Sequence, residues 1–260
     1  CCGLGDWYKV QRYNQVELNE FLNLGGYSDR NQHRSENTFL SVGYDWLETD
    51  TRTLATKIAY AHHQIQSAGL IAPAVALPNA SYDFFIGPDW HTTDLTVSVE
   101  ASQQFNNGWS INSGLQYSHA EQHKADLRVN YFDINSGEII VEDPFYQGGI
   151  VTISNYAPFQ SLQSTFETRS IYGQIKVPFA EQLTLFLGAR YDDVKAIDSK
   201  LSPRISAIYS PTRAHTFKLQ YGESFRTPVT NELYSDDDVT KGNPNLKSEY
   251  VKTTELVWRY

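Results

Sequence analysis

Hydrophobic and polar residues take turns along most of this chain. Leu40, Val42, Tyr44 and Trp46 fall in one phase, and Ser41, Gly43 and Asp45 in the other. Leu95, Val97, Val99 and Ala101 oppose Thr96, Ser98, Glu100 and Ser102, while Ile171, Gly173, Ile175 and Val177 oppose Tyr172, Gln174 and Lys176. Leu183, Leu185, Leu187, Ala189 and Tyr191 oppose Thr184, Gly188 and Arg190, and Ile205, Ala207 and Tyr209 oppose Arg204 and Ser206. The same rhythm runs through Leu54 to Tyr60, Trp109 to Tyr117, Phe217 to Tyr221 and Thr254 to Trp258. It is weaker over 14–24, where Glu20 interrupts the apolar phase. Successive side chains of a strand point to opposite faces, so a period of two predicts strands with one apolar and one polar surface. The pattern predicts about ten such strands and no amphipathic helix.

The connections sort by length. They are short after 47, 103, 178 and 209 and longer after 24, 63, 118, 191 and 226. The short set includes FNNG (105–108), whose Asn-Gly pair suits a tight hairpin. The long set includes 25–37, then His62 to Thr92 with three prolines, then His119 to about Thr168, with a small hairpin expected about NSGE between Tyr131 and Val141. Aromatics gather at strand ends: Tyr44, Trp46, Tyr60, Trp109, Tyr117, Tyr191, Tyr209, Trp258 and Tyr260. Short turns at one end, long loops at the other and aromatic girdles between are the pattern of a barrel whose apolar face meets lipid. A soluble sandwich shares the alternation but has no reason to sort its loops. The fold class expected is therefore all-β, a transmembrane antiparallel β-barrel. Its polar phase lines a watery or plugged interior.

Composition narrows the partners. With 260 residues, 13% aromatic and a net charge of −9, the chain carries no basic stripe of the kind nucleic acid requires. No apolar run approaches the roughly 20 residues of a spanning helix, which leaves strands as the only route across a bilayer. Methionine is absent, even at position 1, which reads as a fragment or a processed chain. Cys1 and Cys2 are adjacent and cannot staple distant parts of a fold. An acylated N-terminal cysteine is the other reading of that pair.

Three motifs near the end of the chain stand in order: YGESFRTP (221–228), NELY (231–234) and GNPNLK (242–247). Together they resemble the barrel domain of TonB-dependent outer-membrane receptors. That resemblance implies a wall segment over 1–260, about ten strands of a barrel of roughly 22 around a plug. The plug and the closing strands would be absent, and the sheet open and strongly curved. It further implies energised import of a scarce nutrient across the outer membrane, most readily a ferric siderophore, with cobalamin, haem or a glycan as other cargoes. The implied partners are outer-membrane lipid, the plug of the intact chain and the TonB complex reached through a missing N-terminal region. A passive porin, or a small barrel of structural or adhesive role, is the reading from another class. In haem-uptake receptors similar boxes flank a histidine; 229–242 contains none. Both boxes then read as structural, with Pro228 and Pro244 ending strand pairing and Gly242 allowing a bend.

Loops on a rigid scaffold carry recognition, and aromatic faces suit planar or bulky chelates. The candidate ligand-binding residues are accordingly Arg226, Tyr234, Trp90, Phe85 and Tyr146, near the expected outer mouth. Asp236 to Asp238 read as a solvated loop or a hard-cation site. His62 with His63, and His119 with His123, read as polar surface or as metal donors, and no metal site is assigned from them. Glu100, Lys57, Lys176, Arg190, Arg204 and Lys218 face the interior as plug contacts or as a hydrated wall. No nucleophile elbow, phosphate loop or zinc spacing occurs, so no catalytic residue and no cofactor is predicted.

Overall fold

The computed structural model describes Gln11–Tyr13 by backbone alone, and residues 30–236 and 241–260 in full. The strand expected over 14–24, Cys1 and Cys2, and Asp237 and Asp238 lie outside the described residues. Among the described residues eleven antiparallel strands make one sheet: β1 (Gln11–Tyr13), β2 (Gln32–Glu48), β3 (Arg52–Ala72), β4 (Phe84–Gln104), β5 (Ser110–Tyr131), β6 (Tyr146–Ile153), β7 (Ser164–Ala180), β8 (Leu183–Val194), β9 (Asp198–Thr212), β10 (His215–Arg226) and β11 (Glu249–Arg259). Neighbours follow chain order, except that β5 pairs with β6 near its end and with β7 along the rest. β1 and β11 stand at opposite edges and do not pair with each other among the described residues. The wall is open, part of a barrel.

Which face meets solvent inverts the rule for soluble proteins. Leu115 is 57% exposed, Ile171 56% and Leu187 43%, whereas Ser98, Ser170 and Asp192 are at most 8% exposed. A soluble core cannot leave a continuous apolar face bare, because each large side chain kept in water forgoes about 1.5–3 kcal/mol of burial. Facing acyl chains, the same surface carries no such cost. Crowding of small polar residues on the other side is what the concave face of a curved sheet produces. The apolar spans Trp109–Tyr117, Ile171–Phe179, Leu183–Tyr191 and Leu201–Tyr209 match the 9–11 residues a tilted strand needs to cross a bilayer. Each carries an aromatic at one end or both.

The polar face is tied across strands. Glu100 on β4, Gly114 on β5, Tyr172 on β7 and Arg190 on β8 occupy one rung of the ladder. Gly114 leaves the space in which the Tyr172 ring lies, and a Cβ there would come within 2.4 Å of it. The phenol crosses β5 to donate to Glu100 at 2.8 Å. Arg190 sits 5.3 Å from the same ring and donates to Asp192 and Ser170 at 2.8 Å each.

Four expectations about the connections need correction. β3 runs to Ala72 and β4 begins at Phe84, so the loop expected over 62–92 shrinks to 73–83. β5 continues to Tyr131 and β7 starts at Ser164, which shortens the connection expected from His119 to Thr168. β2 starts at Gln32, inside the connection expected over 25–37. The link between β8 and β9 is three residues, 195–197, not a long loop. Beyond the apolar band the outward face turns polar and the apolar residues of β4 and β5 turn inward, so the band's pattern stops while backbone pairing continues. The turn at NSGE forms, with Gly137 N–H on the Asp133 carbonyl, but its arms make only the Asp133–Glu138 bridge. Among the described residues two single-turn α-helices also form, α1 (Ala157–Gln160) and α2 (Thr230–Tyr234), beside a 3-10 turn at Asp143–Phe145.

Candidate functional site

At the loop end the strands outrun the band and carry a small core of their own. Phe84, Leu127, Val129, Tyr131 and Phe132 are buried together with Ala80, and Ile86, Tyr146, Tyr156 and Phe159 pack against them. Alternation along β4, and on β5 the extra residue at His123 that reverses its phase, place this core on the polar, inward side of the wall, where the chain between β5 and β7 folds over it. The β3–β4 loop is locked on by Asp143, which accepts from the Ser81 amide and hydroxyl at 2.6 Å each. Those two hydrogen bonds, the hydroxyl's first, hold the Asp143 carboxyl below its ordinary range.

The three motifs prove to be one assembly. Arg226 at the end of β10 forks onto Glu232 of α2, Nη1 to Oε2 at 3.0 Å and Nη2 to Oε1 at 2.9 Å, while Nε reaches Glu249 at 3.2 Å. Glu232 also accepts the Val229 amide at 3.0 Å. Its carboxyl is held down by Arg226 first and by that amide second, and the guanidinium is raised by Glu232 and then Glu249. Gly242 and Asn243 return to α2, their amides donating to the carbonyls of Ser235 at 2.6 Å and Glu232 at 2.8 Å. A Cβ on Gly242 would lie 2.6 Å from the Leu233 carbonyl carbon and the Tyr234 nitrogen, so only glycine permits this approach.

This loop then meets the one between β6 and β7. Ser161 donates to the Tyr234 carbonyl at 2.6 Å, and the Ser164 and Thr230 hydroxyls stand 2.8 Å apart, although β8 and β9 separate their strands. Leu162 and Leu233 are both buried. From α1, Phe159 packs edge-on against Trp90 with centroids 5.7 Å apart. Trp90 Nε1, Gln122 Nε2 and Gln160 Nε2 are buried donors with no protein acceptor.

Of the five candidate residues, Trp90 and Tyr234 are joined through α1. Tyr146 lies higher, stacked on half-exposed Tyr82 at 4.1 Å. Phe85 is turned by alternation away from Phe84 and Ile86, and its amide donates to Asn130 at 2.8 Å. Arg226 is engaged by two carboxylates. Sequence reasoning missed Glu232, Asp143 and Ser81; only an acidic residue six positions after Arg226 hinted at the first.

The histidines group differently from the two pairs considered in the sequence, from which no site was assigned. Strand pairing gathers His62, His91 and His123, with ring centroids 5.7–6.0 Å apart. A register shift beside His91 admits His123 to the group. Burial, then Lys124, lowers the His91 pKa. Among the described residues no three His, Cys, Asp or Glu side chains are disposed to hold a metal ion.

A wall apolar outside, wet inside and looped at one end defines a transmembrane β-barrel of the outer-membrane type. The sequence matches the family described as "TonB dependent receptor-like, beta-barrel" over residues 4–260. The chain belongs to that family. No curated protein matches it by sequence. Among solved structures it is similar to the copper transporter OprC, with a TM-score of 0.60, 14% identity, and 88% of this chain and 36% of that one covered. It is also similar to the siderophore receptor PiuA from Acinetobacter baumannii (0.60, 16%, 90% and 39%). A third is BauA, the ferric preacinetobactin receptor from the same organism (0.57, 13%, 88% and 36%). At these identities the likeness is one of fold. The chain spans little more than a third of the length of each.

Proposed function

We propose that this chain is a wall segment, over 1–260, of a receptor in the Gram-negative outer membrane that imports a ferric siderophore with energy supplied through TonB. The observation that carries the reading is membership of the TonB-dependent receptor family across residues 4–260. Among the similar structures PiuA is a siderophore receptor and BauA the ferric preacinetobactin receptor, and OprC, a copper transporter, is the counterweight. The mouth supplies supporting chemistry. The Trp90 ring on β4 meets Phe159 of α1 there, and Tyr82 stacks on Tyr146, aromatic faces that suit a bulky chelate.

Tyr234, Trp90 and Tyr146 are the proposed contacts, with Phe85 at the base of the loop and Arg226 fixing the helix that carries Tyr234. Glu100, Tyr172, Arg190 and Arg204 on the inward face would meet a plug. Catalysis has no place in this reading, and neither does a resident cofactor. Deletion of the complete gene is expected to abolish growth on one ferric siderophore as sole iron source, and plasmid return to restore it. Unchanged uptake of every ferric chelate, with copper uptake lost instead, would reject the cargo.

A further inference from the structure

Above the apolar spans of β3, β4 and β5, on the outward side of the wall, three imidazoles gather. The ladder sets His62 of β3 against Thr93 of β4, and His91 of β4 against Lys124 of β5, while the next pair is Thr92 with Gln122. His123 is therefore the extra residue of a bulge, and it stands beside Lys124 on the same side as His91. The three ring centroids are 5.7–6.0 Å apart. The same bulge reverses the phase of β5 and so turns Leu127, Val129 and Tyr131 inward to build the loop-end core. The histidines sit on the irregularity that the core depends on.

The buried carboxylates beside them are already engaged. Asp89 accepts from Lys124 at 2.9 Å and from Gln66 at 3.1 Å. Asp126 accepts from Ser154 at 3.0 Å, with Lys124 Nζ 3.5 Å away. His91 Nε2 lies 3.3 Å from Asp89 Oδ1, yet both atoms are buried without an aligned hydrogen bond. Arg128 adds a second cation that acts on Asp89. From the flanking strands, β2 brings Arg34 and Glu36, bound to each other at 2.9 Å, and β7 brings Glu167, bound to Lys195 at 2.8 Å. Glu121, on the rung of His62, is exposed, where water screens it. Lys124 and Arg128 thus balance Asp89 and Asp126 while the imidazoles are neutral. Asp89 can meet one added proton. A second and a third set like charges within 6.0 Å of one another, with Lys124 alongside. Burial first, and Lys124 second, favour neutral His91 in the folded wall. Its contribution to stability is therefore complete above the ordinary histidine range and is lost as pH falls through it.

We propose that His62, His91 and His123 form a pH-sensitive latch on the β5 bulge, closed while they are neutral, and that their protonation loosens the loop-end core. Trp90, next to His91 and turned to the inner side, links the latch to α1 through Phe159. Acid then loosens the mouth as well. The device rests on the wall and its core, not on the identity of the cargo.

The test is hydrogen exchange of the full-length receptor in lipid nanodiscs, read by mass spectrometry over residues 124–131. It is run at about pH 7.5 and about pH 5.5, either side of the histidine range, and corrected for the intrinsic effect of pH on exchange. Protection there is expected to fall about tenfold on acidification, while that of β8 stays unchanged. His91→Gln, and His62→Gln with His123→Gln, should each remove most of the fall. His63→Gln, one residue along on the inner side, should keep it. Lys124→Gln should shrink the fall, because Asp89 is then left to hold an imidazolium; a merely structural role would lower protection equally at both pH values. If the histidine variants lose the core outright, the wild-type fall and the Lys124→Gln ratio still decide. A fall of the same size in folded histidine variants, or none in the wild type, would overturn the latch.

Discussion

Leu187→Arg in the full-length receptor, refolded into lipid vesicles, is expected to lower the stability of the barrel by about 2–4 kcal/mol, while Phe186→Arg changes it by less than about 1 kcal/mol. Both native residues are large and apolar, and they are adjacent. Leu187 is central in the span Leu183–Tyr191 and 43% exposed on the apolar face. Phe186 points the other way, into a hollow lined by Gln174, Arg204, Ser206, Gln220 and Glu255. A charge at the first position must enter hydrocarbon; at the second it meets water, which screens it from Lys176 and Arg204. Urea titration followed by tryptophan fluorescence reads the difference. Equal losses at the two positions would mean that the wall is not sided as described.

Gly242→Ala should undock the outer loop with the wall intact. The added Cβ would stand 2.6 Å from backbone atoms of α2, which cannot swing aside as a side chain can. Overpacking of this kind costs about 1–3 kcal/mol. Here the cost falls on two amide hydrogen bonds and on the placement of Tyr234, not on the ladder of β10 and β11. At about 1.4 kcal/mol per decade, ligand affinity of the full-length receptor should drop roughly tenfold or more. Heat-modifiable migration of the folded barrel should not change. Full affinity in this variant would show that the docked loop takes no part in binding.

The strands within the bilayer were legible because one face is greasy and the other wet, and Leu40 to Trp46 or Leu183 to Tyr191 advertise that directly. The same signal fails where a strand leaves lipid. His63 to Ala72 shows little contrast between faces, and over Ala125 to Tyr131 the alternation is clear but its apolar phase is turned inward by the register shift beside His91. The motifs YGESFRTP, NELY and GNPNLK were readable as a set. That Arg226, Glu232 and Gly242 hold one another was not, because the contacts join loops through backbone atoms. Aromatic candidates such as Trp90 and Tyr146 were chosen by type and position. Their partners came from topology: Phe159 reaches Trp90 only because the chain after β6 folds back over the inner face. The histidine triangle needed a register shift on β5 that composition does not announce.

The sidedness of the wall is tested most directly by nitroxide labels at four positions of the full-length receptor in bilayers, Cys1 and Cys2 having been replaced. Labels at Leu115 and Leu187 should collide freely with oxygen dissolved in the acyl chains, and labels at the adjacent Gln116 and Phe186 should be shielded from it. The reverse order, or equal collision rates at all four, would contradict an apolar face turned to lipid and a polar face turned to the interior.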